Sequence, residues 1–340
     1  MISYKPANIR TWSRLGSCGA FGLAALEIPE LDNNMVAITS DLCFYSGLDR
    51  FKAKYPDRLY NVGIAEQNMV AVAAGMAKEG LNPFATTYAT FASTRSCDQV
   101  RVNMGYMKLG VKLVGLTSGL SVGILGATHI SIEDIAIMRS IPNITILSPA
   151  DCTETVKATL AAAAFPGPVY LRLTGEMGNS IVYHEDYDFV IGKAITLKEG
   201  KDVAIIATGT MVYQSLEASK LLEEEGISCR VIDMHTIKPL DTEVVIKACN
   251  TKLIVTIEEH NTIGGLGGAV AEYKAAIKNA PPQMLIGVPD SYEKAGEYSY
   301  LLEQCGLTIG DIYKKIRNKY SEVNNHDKFR KIHKCFYRNF

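Results

Sequence analysis

The chain has 340 residues, of which 47% are hydrophobic and 21% charged, and its 35 basic and 36 acidic side chains leave a net charge of −1. That is enough apolar material for two or three domains with real cores, and it argues against a disordered chain and against a general nucleic-acid binder. No signal peptide and no uninterrupted apolar span of about 18 residues can be read, which makes the cytoplasm the expected location.

A helix is expected from Thr11 to about Leu26, then a turn at Pro29 and Asp32-Asn33-Asn34, then the strand MVAITSDL closed by Asp41 and Leu42. Ligands of open α/β sheets gather at the carboxyl ends of strands, so Asp41 is a site candidate. A short apolar run then ends at Gly63-Ile64, and Glu66 follows. Met69, Val70, Val72, Ala73, Ala74, Met76 and Ala77 describe a helix apolar almost all round, stopped by Gly80 and expected inside the protein. Glu66 falls in its first turn, where an acid against apolar walls can hold a proton and also complements the helix dipole. Tyr88 and Phe91 stand three residues apart after the next turn. On their own they would be ordinary core aromatics.

The strand VKLVGLTSG runs into a loop carrying Gly115, Gly119, Gly123 and Gly126, a composition that lets backbone approach a ligand closely. His129 follows, then a helix over Ile132 to Ser140, and the strand VYLRL ends the first half. In the second half DVAIIATG, CRVIDM, LIVTIEE and MLIGVP alternate with helices from about Met211 to Glu225, Asp241 to Cys249 and Gly267 to Asn279. Such alternation specifies a parallel or mostly parallel sheet. The fold class expected is therefore α/β, with two consecutive open, mostly parallel sheets flanked by helices. The divisions are 1–180, a linker over 181–192, 193–320, and a basic tail over 321–340. Gly264, Gly265, Gly267 and Gly268 lack the G-x-G-x-x-G spacing and the later acid of a dinucleotide fingerprint. His235 and His260 are expected to be structural or at a dimer contact. Eight scattered cysteines without a CxxC pair read as reduced packing residues, so neither a metal site nor a disulfide framework is expected. Beyond Asp311, Lys and Arg recur with Phe329, Phe336, Tyr337 and Phe340 between them. That tail is either a solvated helix or a segment that docks on a partner chain or covers a phosphate or nucleotide moiety.

GIAEQNM, TTYATFASTRSCDQVR and GLSVGILGATHISIEDIAIMRSIPNITILSPAD together resemble the pyrimidine-binding domain of the thiamine diphosphate enzymes of the transketolase family. The second half, with EEHNTIGGLGGAV, resembles that family's C-terminal domain, and the resemblance covers about residues 10–320. It implies that Glu66 hydrogen-bonds the aminopyrimidine ring nitrogen and shifts the ring to its imino tautomer, which takes the proton from the thiazolium carbon. It implies further that Tyr88 and Phe91 flank the pyrimidine with Asp41, Leu42 and Ile64 beside it, and that His129 lies near the reacting carbon. Arg14, Thr117, Ser118, Leu125 and Arg172 fall on or near positions that would face substrate. Three departures stand out. An acid expected at Leu125 has become aliphatic, with Ile124 and Ile130 beside it; an upstream histidine is replaced by Thr117 or Ser118; and Gly175 stands about where a phosphate-binding arginine is expected, with Arg172 close enough to substitute. Cofactor activation is thus expected to be retained and the usual reading of phosphosugars altered.

The resemblance also implies a GDG motif followed roughly thirty residues later by asparagine, to hold Mg2+ and the diphosphate, and this chain has none. The expectation is one subunit of a split enzyme, with no metal ligands of its own, an N-terminal diphosphate-binding subunit as partner, and an α2β2 assembly. The implied reaction moves a two-carbon ketol unit from a ketose-type donor to an aldehyde. Alternatives are a thiamine enzyme with a less hydroxylated donor such as pyruvate, resembling deoxyxylulose-phosphate synthase or the β subunit of a 2-oxo acid dehydrogenase, and a non-catalytic scaffold.

Overall fold

The computed structural model describes residues 2–336, with side chains through Asn325. The first half runs α1 (Pro6–Leu31), β1 (Met35–Thr39), α2 (Asp49–Lys54), β2 (Leu59–Asn61), α3 (Glu66–Lys78) and β3 (Asn82–Tyr88). A wide-coiled helical stretch over 91–106 follows, with one short α-helical turn, α4 (Cys97–Gln99). Then come β4 (Lys112–Ser118), α5 (Asp134–Ser140), β5 (Thr145–Leu147), α6 (Cys152–Ala164) and β6 (Val169–Thr174). The second half comprises β7 (Ile195–Lys198), β8 (Val203–Ala207), α7 (Met211–Glu224), β9 (Cys229–Asp233), β10 (Thr236–Lys238), α8 (Thr242–Ala248), β11 (Leu253–Asn261), α9 (Leu266–Lys274), β12 (Gln283–Val288), α10 (Tyr298–Gln304) and α11 (Ile309–Phe336).

Two sheets result, in the orders β10-β5-β6-β4-β3-β1-β2 and β12-β11-β8-β9-β7, parallel except at β10/β5 and β7/β9. Strands β1, β5, β6 and β8 are buried along their whole length, as the continuous apolar runs require when helices cover both faces. Helix α1 is longer than expected and bends at Gly16, whose φ of 75° leaves the helical region. A Cβ there would come within 2.8 Å of the Glu176 carbonyl oxygen, so the glycine admits both the bend and the close approach.

One expectation is corrected. Helix α3 buries Met69, Val70, Ala73 and Ala74 but exposes Gln67, Asn68, Ala71 and Gly75, so it is inside on one face only. Helix α11 continues without a break past residue 321. Tyr313, Tyr320 and Val323 of α11 pack on the second core, and the Tyr320 hydroxyl donates to Asp202 at 2.9 Å. The basic and aromatic side chains from Lys328 onward lie outside the described residues.

The halves interlock. Strand β10 leaves the second half and pairs with β5 of the first sheet, Thr236 opposite Leu147 and Lys238 opposite Ile146. Leu120, Ile130 and Ile132, all from the loop after β4, are buried in one cluster with Val203, Ile257 and Leu301 of the second half. Full burial of such side chains contributes on the order of 1.5–3 kcal/mol each, before the entropy of ordering the loop. Seven described cysteines carry free thiols. Among the described residues no helix is long and apolar enough to cross a membrane.

Candidate active site

The site gathers at the carboxyl ends of β1 to β4, which lie side by side in the first sheet. After β1 the chain turns sharply, with Asp41 at φ 60°. Asn61, at the end of neighbouring β2, holds that turn: its amide nitrogen donates to Asp41 Oδ1 at 2.8 Å, and its Oδ1 accepts from the backbone N–H groups of Asp41 and Gly63 at 3.1 and 3.0 Å. Asp41 is exposed and Leu42 half-buried. Asn61 was not singled out from the sequence, although its place at the end of the apolar run before Gly63 was the available signal.

Gly63, at φ 75°, leads into α3, and Glu66 opens that helix with only 3% of its surface exposed. Its carboxylate is not left alone. Arg95 donates to Glu66 Oε1 at 2.7 Å while its guanidinium lies 3.9 Å above the Phe91 ring. No hydrogen bond among the described residues engages Oε2. Arg95 was also missed, although it lies in the run that carries Tyr88 and Phe91; an ion pair across 29 residues leaves no local periodicity to find.

Tyr88 ends β3 and Phe91 begins the wide coil, so their rings stand edge to face with centroids 5.9 Å apart. The ring of His129 packs edge-on against both, at 5.4 Å from Tyr88 and 5.3 Å from Phe91. Asp41, Glu66, Tyr88, Phe91 and His129 therefore sit around one region, and Ile64, 79% exposed, stands at its edge. His129 Nδ1 is 3.0 Å from the Thr128 hydroxyl.

A cavity of about 520 Å³ adjoins this region, walled by Gly16 and Cys18 of α1, Tyr45 and Arg50 beyond β1, Thr117, and Glu176. Burial, then the charges of Tyr45 and Cys18, push the Tyr88 phenol up, which places those two lining residues beside the aromatic pair. Burial pushes the Cys18 thiol up to about 11, so it is an inert wall. Burial and then the charges of Glu297 and Glu259 raise the Glu176 carboxyl. Thr117, at φ 49°, is among the lining residues, but its hydroxyl is sealed from the cavity and has no hydrogen-bond partner among the described residues.

Other expected substrate residues fall elsewhere. Ser118 is fully buried and its hydroxyl donates back to the Gly115 carbonyl at 3.2 Å, so it faces its own strand. Arg172 is 1% exposed; its Nε donates to Asp134 Oδ2 at 2.8 Å and its Nη2 to the Glu259 carbonyl at 2.9 Å. Both faces of β6 are covered, so this arginine braces the interior and cannot stand in for the one missing at Gly175. Arg14 is exposed on α1 and is not among the cavity walls. Leu125 and Ile124 are exposed on the loop after β4, 46% and 66%, whereas Ile130 turns into the core.

The glycines at 264–268 hold no external anion either: Glu258 accepts from the N–H groups of Leu266 and Gly267 at 2.6 and 2.7 Å, filling the helix N-terminus from inside. His260 takes the Ala136 N–H at 3.2 Å and His235 stacks on Phe189 at 4.2 Å, both fully buried. Among the described residues no cluster of His, Cys, Asp or Glu could hold a metal ion.

Comparison with known proteins places this geometry. Residues 17–178 match the family described as "Transketolase, pyrimidine binding domain" and residues 192–312 match "Transketolase, C-terminal domain". The 6-deoxy-6-sulfo-D-fructose transketolase subunit SqwH of a Clostridium species is 42% identical over 84% of this chain and 89% of its own length. The chain belongs to the transketolase family. Within that thiamine diphosphate family its extent is that of a split subunit. One of the subunits of the apulose-4-phosphate transketolase of Phocaeicola vulgatus is 38% identical, over 83% of this chain and 90% of its own. The 1-deoxy-D-xylulose-5-phosphate synthase of a Synechococcus species is 36% identical but matched over only 47% of its length. The solved structure described as "Split gene transketolase, inactive beta4 tetramer" is 39% identical, with a TM-score of 0.84 over 90% of this chain and 99% of that one.

Proposed function

We propose that this transketolase-family chain is the pyrimidine-binding subunit of a split enzyme that transfers a two-carbon ketol unit from a ketose-type donor to an aldehyde. The observation that carries this is the carboxyl group of Glu66, buried at the head of α3 beside the half-buried rings of Tyr88 and Phe91, with one oxygen free of partners. These residues fit the pyrimidine end of thiamine diphosphate. Aromatic faces and Ile64 would hold the flat ring, Asp41 and Leu42 would border it, and Glu66 Oε2 would hydrogen-bond a ring nitrogen. The bound cofactor supplies the electron sink for breaking and making the carbon–carbon bond.

The chain's own work is orientation and proton handling. His129, whose ring packs on Tyr88 and Phe91, would donate to an oxygen that gains charge in the transition state. Arg50 is the cation among the described walls of the adjoining cavity, beside the acids Asp49 and Glu176, now that Gly175 and the buried Arg172 supply none. An anionic end on the substrate suits Arg50, and the names of the two split relatives specify a sulfonated and a phosphorylated sugar. On this reading the diphosphate and Mg2+ fall to a separate subunit, since the sequence has no GDG motif and the described residues offer no metal-holding cluster, and an α2β2 assembly in the cytoplasm is part of the same proposal. The domain division at about 180 and 193 belongs to the same proposal.

The exposed Ile124 and Leu125 favour one second reading, a donor with fewer hydroxyls such as pyruvate, because an aliphatic side chain offers no acceptor for a sugar hydroxyl. Carbon dioxide release by the complex with its partner chain, Mg2+ and thiamine diphosphate separates the two. Turnover of hydroxypyruvate over pyruvate supports ketol transfer, and the reverse preference replaces it with an acyl-transferring synthase. Glu66→Gln should lower turnover on the order of 10²–10⁴-fold. Unchanged turnover in that variant contradicts every thiamine-dependent reading, a scaffold being what would remain.

A further inference from the structure

The loop that carries His129 is glycine-rich, and Gly119 and Gly126 both have positive φ, 70° and 71°. The loop itself makes only a short 3-10 turn over Gly123–Thr128, so what fastens it to the rest of the chain decides where the imidazole stands. Its base is closed by two backbone hydrogen bonds between Gly119 and Ser131, at 2.8 and 3.1 Å. From the first half the Gly175 N–H donates to Ser121 Oγ at 3.0 Å and the Tyr88 and Phe91 rings pack on His129; the other fastenings come from the C-terminal half. Glu259 Oε1 accepts from the Leu120 N–H at 2.7 Å. Glu259 Oε2 accepts from the Thr210 hydroxyl at 2.6 Å and from the Tyr298 hydroxyl at 2.5 Å. The next two residues of β11 hold the segment that follows the loop: the His260 ring accepts from the Ala136 N–H of α5, and the Asn261 N–H donates to the Ile132 carbonyl at 2.7 Å. Gly296 N–H donates to the Gly123 carbonyl at 3.1 Å, just ahead of α10.

The fit at Gly119 shows how close this approach is. A Cβ at that position would come within 2.2 Å of Glu259 Oε1, so backbone and carboxylate meet with no room for a side chain. Thr210, Tyr298 and Glu176 also line a chamber of about 130 Å³, and Glu176 and Met177 line both that chamber and the larger cavity.

We propose that Glu259 is a positioning residue for the reaction: bracketed by Thr210 and Tyr298 on one oxygen and Leu120 on the other, it clamps the His129 loop to the C-terminal domain. That domain thereby sets the geometry of a site to which it contributes no catalytic group. The inference rests on the proposed role of His129, and its test does not depend on turnover.

Hydrogen–deuterium exchange of the full chain reads it directly. Glu259→Gln keeps the shape but exchanges one acceptor oxygen for a donor, and Tyr298→Phe removes one hydroxyl. Both should speed exchange over 119–131, by about tenfold or more in the glutamine variant, while the amides of β8 exchange as in the unaltered chain. In the assembled complex kcat should fall by up to the order of a hundredfold while thiamine diphosphate affinity stays within about twofold, as expected when a group is misplaced rather than a ligand lost. Tyr298→Phe should lie between Glu259→Gln and the unaltered enzyme in both readouts. Unchanged exchange of 119–131 in both variants overturns the proposal, as does an equal loss of protection in β8, which would make Glu259 a general brace. If the unaltered complex shows no ketol transfer, the functional reading fails while the exchange data still decide whether Glu259 clamps the loop.

Discussion

Arg172 shows how a single position can mislead. It lies in VYLRL, three residues before the place where an arginine is missing, and proximity along the chain suggested substitution. The strand is buried on both faces, so the guanidinium has only interior partners, and its ion pair with Asp134 has both members essentially sealed from water. Burial pulls the arginine's affinity for its proton down, and the Asp134 charge more than offsets this. Removing one member of such a pair leaves the other charged and desolvated. Arg172→Met should therefore cost about 3–5 kcal/mol in urea unfolding, and adding Asp134→Leu should recover part of it. A substrate role would instead appear as a raised KM at unchanged stability. Arg95 and Glu66 make the complementary case, since one is half-exposed and the other buried. Arg95→Met leaves Glu66 without its partner and should destabilise the cofactor-free chain by about 1–3 kcal/mol, measured by the same unfolding experiment. The acid and the two aromatics were legible because a carboxylate at a helix start and paired rings are local patterns. Arg95, Asn61 and the fate of Arg172 depend on contacts between distant segments.

At the scale of elements, the linker between the halves is tied down by acids. Asp151 caps α6 and accepts from the N–H groups of Val182 and Tyr183 at 2.7 and 2.9 Å. Tyr183 donates to Asp233 at 2.6 Å and Tyr187 to Glu154 at 2.8 Å, with the two rings stacked at 4.0 Å. Burial pushes Asp233 up to about 7, and burial with the charge of Asp233 pushes Glu154 up as well. Glu258 is likewise raised by burial, to about 7. Acids raised in the folded state contribute stability that is complete below about pH 4 and is lost as pH climbs through about 7. His235 and His260, lowered to about 4 by burial, work the other way: their contribution is complete above about 6.5 and is lost as pH falls toward 4. The two effects oppose each other in the acid range; above it the carboxyl groups act, until Lys112, pulled down to about 8 by burial, begins to work the other way. The urea midpoint should thus decline between about pH 6.5 and 7.5, and Asp233→Asn should flatten that decline. A midpoint that rises over this interval would be incompatible with the protonated linker acids. The alternation of strands and helices in this half was plain in the sequence, because each element is long and apolar. Strand β10 was not, since three residues carry no periodicity and its partner β5 lies in the other half.

The whole molecule presents an unfinished end. Phe44 and Tyr45 follow β1, Ile64 follows β2, and Ile124 and Leu125 follow β4, all exposed at the edge of the sheet that carries the candidate site. A soluble chain rarely leaves so many large apolar groups at one end without a surface to cover them. Under the proposed function the partner for this end is the diphosphate-binding chain, because a cofactor held only by its pyrimidine would have no ligand for the charge at its other end. Without a partner, a second copy of the chain is one way to cover such a surface. The purified chain should therefore self-associate and release no carbon dioxide from hydroxypyruvate, and titration with the diphosphate-binding chain should produce turnover that saturates at one-to-one stoichiometry. Ile64→Glu sets a charge into this rim, where it stands 79% exposed and supports no core. The variant should keep the melting temperature of the isolated chain to within a few degrees, about what a change of under 1 kcal/mol produces in a chain of this size. Light scattering should then show a mixed assembly that is weakened or lost. Full turnover from the single chain, or an assembly indifferent to Ile64→Glu, would mean that the exposed end serves some other contact and that the division of the cofactor between two polypeptides is wrong.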